Sequence, residues 1–176
     1  MSEKPSAALE ARLRAIEDRL EILNLIASHP PSADTGADFY ARAVYAEDGV
    51  FDRGDVAGGI SVDGYAELMT RQAHKDALAG GLGHFCGLPY IDIDGDRATV
   101  TSYLQILTPA QGEAVEVPNH GASKGFRIHR LAANRWDLVR GAKGWRIKRR
   151  TVRSLDGTPA ARELLLGALG KFKQAG

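Results

Sequence analysis

The chain has 176 residues, 44% hydrophobic and 26% charged, with 23 Lys and Arg against 22 Asp and Glu, for a net charge of +1. That balance suits a single domain with a real core and supplies no global field for nucleic acid or a membrane surface. The single cysteine, Cys86, excludes an intrachain disulfide framework and fits a reducing cytoplasm; no apolar leader follows Met1, and no apolar run is long enough to predict a membrane span.

Leu9, Leu13, Ile16, Leu20, Leu23 and Ile26 recur at three- and four-residue steps. The spacing predicts an amphipathic helix over residues 9–34 whose apolar stripe lies on a sheet. Glu10, Arg12, Arg14, Glu17, Asp18, Arg19 and Glu21 are expected to face water. Pro30 and Pro31 lack backbone N–H groups, so the helix should stop or kink near Ser28, with Asp34 just beyond the break. Residues 38–46 read as a short helix, 50–52 and 60–62 as short strands, and 63–78 as a third helix closed by Gly80-Gly81.

From Gly83 the hydrophobic period changes to two. Residues 83–93 read as one long strand, and Asp94-Gly95-Asp96 is a hairpin signal returning residues 97–108 antiparallel to it. Residues 109–123 are polar and read as a loop. Residues 124–139 form a third strand whose alternation stumbles at Leu131-Ala132-Ala133-Asn134, as at a bulge, and residues 145–154 form a fourth. Leu164, Leu165, Leu166, Leu169 and Phe172 predict a last helix. Helices followed by long antiparallel strands make an α+β fold, a curved antiparallel sheet shaped as a half-cone with helices closing an apolar cavity. The expected organisation is a disordered tail over 1–8, a domain over 9–156 and a helical tail over 157–176.

Several stretches carry a resemblance to a known family. They are Asp34-Thr35-Gly36 after the helix, Tyr45-Ala46-Glu47-Asp48-Gly49-Val50-Phe51-Asp52, Gly83-His84-Phe85, Asp94-Gly95-Asp96-Arg97-Ala98, and Arg135-Trp136-Asp137-Leu138-Val139-Arg140 before Gly144-Trp145-Arg146-Ile147. In order and spacing the chain resembles the SnoaL-like branch of the NTF2-like (cystatin-like α+β barrel) superfamily. Within it the pattern is similar to hexachlorocyclohexane dehydrochlorinase, bile acid 7α-dehydratase and scytalone dehydratase. The resemblance implies a cofactor-independent lyase or isomerase, a dehydratase or dehydrohalogenase for instance, acting on a hydrophobic cyclic small molecule with a His-Asp dyad. The family's base falls on His84, its aspartate on Asp34, its lysine or tyrosine on His29 and its strand arginine on Arg150. Period-two alternation faces Arg150 opposite Trp145, Ile147 and Arg149, so Arg149 competes for that place. The resemblance also implies a homo-oligomer, trimer or dimer, formed over the exposed sheet face. A non-catalytic binding or assembly protein, like the small subunit of a ring-hydroxylating dioxygenase, is the other reading of the same fold.

Other candidates are weaker. No His, Cys or Asp spacing matches a metal site, and neither glycine cluster matches a phosphate-binding fingerprint, so no metal or cofactor is expected. The basic run Arg146, Lys148, Arg149, Arg150 and Arg153 lacks interleaved aromatics, which argues against nucleic acid. His74 and His120 read as surface residues, Cys86 as a buried inert thiol, and Tyr103, Phe85, Phe126 and Trp136 as core.

Overall fold

The computed structural model describes residues 6–174. In chain order these fold as α1 (Ala7–Ala27), α2 (His29–Asp34), α3 (Asp38–Val44), β1 (Tyr45–Asp52), β2 (Ile60–Ser61), α4 (Val62–Thr70) and α5 (Gln72–Ala79). There follow β3 (Gly83–Cys86), β4 (Tyr90–Asp94), β5 (Arg97–Pro109), β6 (Val115–Val117), β7 (Gly121–Ser123), β8 (Phe126–Gly141), β9 (Gly144–Ser154) and α6 (Pro159–Ala168). The expected tail over 1–8 falls largely outside the described residues, and the chain is helical from Ala7.

The fold is α+β, with helices against a curved, unclosed sheet ordered β2-β1-β9-β8-β5-β3, to which β4 adds by pairing with β5. Its pairings are antiparallel except that β1 runs parallel to β9, so the sheet is mixed. Tyr45, Phe51, Val100, Leu104, Trp136, Leu138, Trp145 and Ile147 fill the concave side against Ile22, Ile26, Tyr65 and Met69. Tyr103, Phe85 and Phe126 do not join this core. They lie 48%, 56% and 64% exposed on the opposite face, because their strand parity is opposite to that of Leu104 and His84.

Several expected elements divide. The predicted strand 83–93 is two strands, because Pro89 cannot donate to a ladder and Gly87-Leu88-Pro89 turns the chain between β3 and β4. The third helix breaks at Arg71, whose φ of −63° and ψ of 141° are extended. The expected loop 109–123 contains the small hairpin β6–β7. Residues 131–134 pair in unbroken register. The irregularities fall instead at His129, an extra residue on β8 opposite Ile106 and Leu107, and at Lys148, an extra residue on β9 opposite Asp137 and Leu138.

The orientation of α1 reverses the expectation. Its charged side docks on the β8–β9 hairpin: Asp18 is buried, pairs with Arg140 and accepts from Trp145 Nε1 at 3.2 Å, while Glu21 accepts from the Trp145 N–H at 2.7 Å. The Arg140 guanidinium lies 4.6 Å from the Trp145 ring centre. Leu9, Leu13, Ile16, Leu20 and Leu23 consequently face outward at 39–55% exposure, and only Ile26 of the predicted stripe is buried.

β1 and β9 approach so closely that glycine is required at one point. A Cβ on Gly49 would lie 2.8 Å from the Ala46 carbonyl oxygen and 2.9 Å from that of Ile147. Backbone atoms cannot yield as a flexible side chain does. Gly49→Ala is expected to destabilise the fold by about 1–3 kcal/mol, read as a lowered urea midpoint at unchanged slope.

Candidate functional site

The break after α1 creates the first half of the site. Ser28 caps α1, and His29, Pro30 and Pro31 form the opening turn of α2. Proline is tolerated there because first-turn N–H groups have no intrahelical partner, so the double proline starts a new helix at a new angle. Gly36 then closes α2 with φ at +65°, and its N–H reaches the Ala33 carbonyl at 3.3 Å. His29 and Asp34 thus stand at the two ends of one short, rigid helix.

Asp34 faces the start of β3. Both its carboxylate oxygens accept the His84 backbone N–H at 3.1 Å, and Oδ1 accepts from His84 Nδ1 at 2.7 Å. A carboxylate can only accept, so Nδ1 carries the proton and Nε2 is left with its lone pair. The His84 side chain is 13% exposed. Burial lowers its pKa from the ordinary histidine value, and the Asp34 hydrogen bond offsets this only in part. His84 is therefore a neutral, oriented imidazole at pH 7.

Arg150 resolves the competition on β9. Lys148, as an extra residue, leaves Lys148 and Arg149 together on the outer side and returns Arg150 and Val152 to the side of Trp145 and Ile147. Arg149 pairs outward with Asp52 at 2.6 Å. Arg150 is 2% exposed, and its guanidinium lies 5.0 Å from the Phe51 ring centre and 5.5 Å from that of Trp136. Its Nε donates to Asn134 Oδ1 at 3.1 Å and Nη1 to His29 Nδ1 at 3.1 Å. Among the described residues no carboxylate stands within ion-pairing distance of it.

A guanidinium only donates, so His29 Nδ1 accepts and its proton sits on Nε2, a buried atom with no protein partner. Burial, then the charge of Arg150 and the neighbouring His84, push the His29 pKa well below the ordinary value. The His29 and His84 rings meet edge to face, 5.9 Å between centres.

These groups line a cavity of about 380 Å³, within the range of small-molecule sites. Leu68, Met69, Leu104, Ile106 and Val152 supply apolar wall, and Tyr65 and Phe51 aromatic wall. All of His29, His84 and Arg150 line it, while Asp34 stands behind His84. His74, read from sequence as a surface residue, also lines it: its Nε2–H donates to the Ala33 carbonyl at 2.9 Å and ties α5 to α2. No spacing signal marks that contact, which spans the break at Arg71. Cys86 is half-buried, with burial raising the thiol pKa.

Both lowered histidines make stability pH-dependent in one direction. Between the unfolded value near 6.5 and the lower native values, the unfolded chain binds more protons, so acidification favours unfolding. Each histidine can contribute a slope of up to about 1.4 kcal/mol per pH unit within its own window. The urea midpoint is expected to hold steady above pH 7 and to fall as pH drops below about 6.5. His29→Phe should flatten that fall.

Helices set against a curved, unclosed mixed sheet place the protein in the cystatin-like α+β class. The SnoaL-like domain model matches residues 14–151, and the chain belongs to that family. It is similar over 93% of its length to 99% of an NTF2-like protein with a cystatin-like fold from Novosphingobium aromaticivorans, at 34% identity and a TM-score of 0.77. A cystatin-like protein of unknown function from Nostoc punctiforme matches at 20% identity and a TM-score of 0.59, over 81% of this chain and 95% of that one. An NTF2-like superfamily protein from Salmonella enterica matches at 13% identity and 0.57, over 80% and 92%. The latter two likenesses speak to the fold alone. No curated protein matches the chain. Among the described residues no helix is long and apolar enough to cross a membrane.

Proposed function

We propose that the protein is a cofactor-independent lyase or isomerase of the dehydratase or dehydrohalogenase type, acting on a hydrophobic cyclic small molecule. The observation that supports this most is the 2.7 Å Asp34–His84 hydrogen bond at the wall of an apolar cavity. His84 Nε2 takes a proton from a substrate carbon, and Asp34 stabilises the imidazolium that forms. The electron pair of the broken C–H bond becomes a new double bond as the leaving group departs with its own bonding pair. Where that group is chloride, the Arg150 cation receives the developing charge; where it is hydroxide, the imidazolium returns the proton and water leaves. His29 contributes a hydrogen bond and not a proton, because a neutral imidazole held well below its ordinary pKa has no imidazolium proton to give at pH 7. An assembly protein of the same fold would have no use for a desolvated base aligned by a carboxylate, which favours the enzyme.

The test is a mass-spectrometric screen of cyclic alcohols, steroids and chlorinated rings for loss of water or hydrogen chloride, with His84→Ala as control. Conversion by the natural protein alone is expected. Equal conversion by both would remove His84 from the chemistry.

A further inference from the structure

We propose that the molecule held in this cavity carries a carboxylate on its apolar frame, received by Arg53, Arg71 and Arg130. This rests on the reading of the cavity as a substrate site. The lining includes four guanidinium groups and no Asp or Glu, in a chain whose net charge is only +1. Arg150 is buried in the wall, whereas Arg53, Arg71 and Arg130 are exposed and so lie at the rim. The three come from separate places: just past β1, the break between α4 and α5, and β8. Arg130 sits beside the His129 bulge, opposite Ile106 of the cavity wall. Arg53 pairs with exposed Asp55 at 2.5 Å, while Arg71 and Arg130 have no ion-pair partner among the described residues. An apolar middle with a cationic rim selects an amphiphile with one anionic end, and planar guanidinium forks match a carboxylate.

The test uses the full chain and pairs of cyclic acids with their amides, such as 2-naphthoate with 2-naphthamide and cyclohexanecarboxylate with its amide. Binding is followed by the NMR shift of His84. The acids are expected to bind at least about tenfold more tightly, with the advantage shrinking as salt is raised. Arg53→Gln/Arg71→Gln/Arg130→Gln should erase that advantage while amide binding persists. No acid outbinding its amide, or a preference that survives the triple substitution, would overturn the proposal. Selective binding of acids, with no His84-dependent loss of water or hydrogen chloride from their hydroxy- or chloro-substituted cyclohexane analogues, would sink the lyase reading alone. Turnover of a neutral substrate that binds as well as its acid would sink this assignment alone.

A different observation carries a second assignment. The geometry points to α1 pairing in parallel with α1 of a second copy of the chain. Leu9, Leu13, Ile16, Leu20 and Leu23 follow a strict four-three-four-three spacing, the seam of a coiled coil, and all five are exposed. Asp18 and Ile22, on the opposite side of α1, are buried against the body, so the seam faces away from it. Flanking the seam are Glu10 and Glu17 on one side and Arg12 and Arg19 on the other. Parallel pairing sets Arg12 against Glu17 of the second copy, whereas antiparallel pairing sets like against like. Two heptads are short for free helices, but these are already ordered by their bodies.

Light scattering is expected to give the mass of two chains. Leu13→Glu/Leu20→Glu should give monomers with unchanged circular dichroism, since both side chains are exposed, at 46% and 55%. In a Cys86→Ser background, Leu13→Cys should oxidise to a covalent dimer, which antiparallel pairing forbids. A monomeric natural protein, a double variant that stays dimeric, or dissociation only on Ile128→Glu at the outer sheet face would overturn the assignment.

Discussion

His84→Ala is expected to lower kcat/KM by about 10²–10⁴, the usual contribution of a positioned general base, while the melting temperature changes little. The imidazole is half of a pair whose other half has a second task. Asp34 also accepts the His84 backbone N–H with both oxygens, so it fixes where β3 begins relative to α2. His84→Ala leaves that anchor intact; Asp34→Ala removes it and should cost stability as well as rate. Asp34→Asn separates the two effects: the amide oxygen can still accept one bond, but the charge that stabilises the imidazolium is gone. Its kcat should fall with little change in KM. In the natural protein the acid limb of kcat/KM should lie below the ordinary histidine value of 6.5, because burial lowers His84 more than Asp34 raises it. A limb above 6.5 would contradict that environment.

The second large effect has opposite signs on rate and stability. Arg150→Met is expected to reduce turnover by about 10²–10³, the size of losing one preorganised charge donor. The same substitution should leave the melting temperature unchanged or raise it. A buried cation without a carboxylate carries a desolvation cost that an apolar side chain of similar length does not. Truncation to alanine should behave differently, because it also opens a cavity between Phe51 and Trp136. His29 reports on the change independently: without the neighbouring charge its pKa should rise toward 6.5, visible in an NMR titration. Loss of both stability and rate in Arg150→Met would mean that the guanidinium serves chiefly to hold Asn134 and His29.

The period-two strands, the hairpin at Asp94-Gly95-Asp96 and the break near Ser28 were legible from residue pattern, because each has a local cause. The Asp34–His84 approach was not. The two residues are fifty positions apart, and only likeness to a family suggested that they meet. Arg150 defeated parity for a definite reason: alternation assumes one residue per step, and Lys148 breaks that assumption without any proline or glycine to announce it. The facing of α1 was misread because amphipathicity identifies two faces but does not say which meets the sheet. Here the buried contact is made by Asp18, whose charge is matched by Arg140 and the Trp145 indole, partners more than a hundred residues away.

The guanidinium of Arg150, enclosed by two aromatic rings, an amide and an imidazole, is half of an ion pair, since among the described residues no carboxylate reaches it. A fitting anion would complete it, and whatever binds only the native state raises the temperature at which the chain melts. Heat is thus a search instrument: compounds could be ranked by the thermal shift they cause before any reaction has been found.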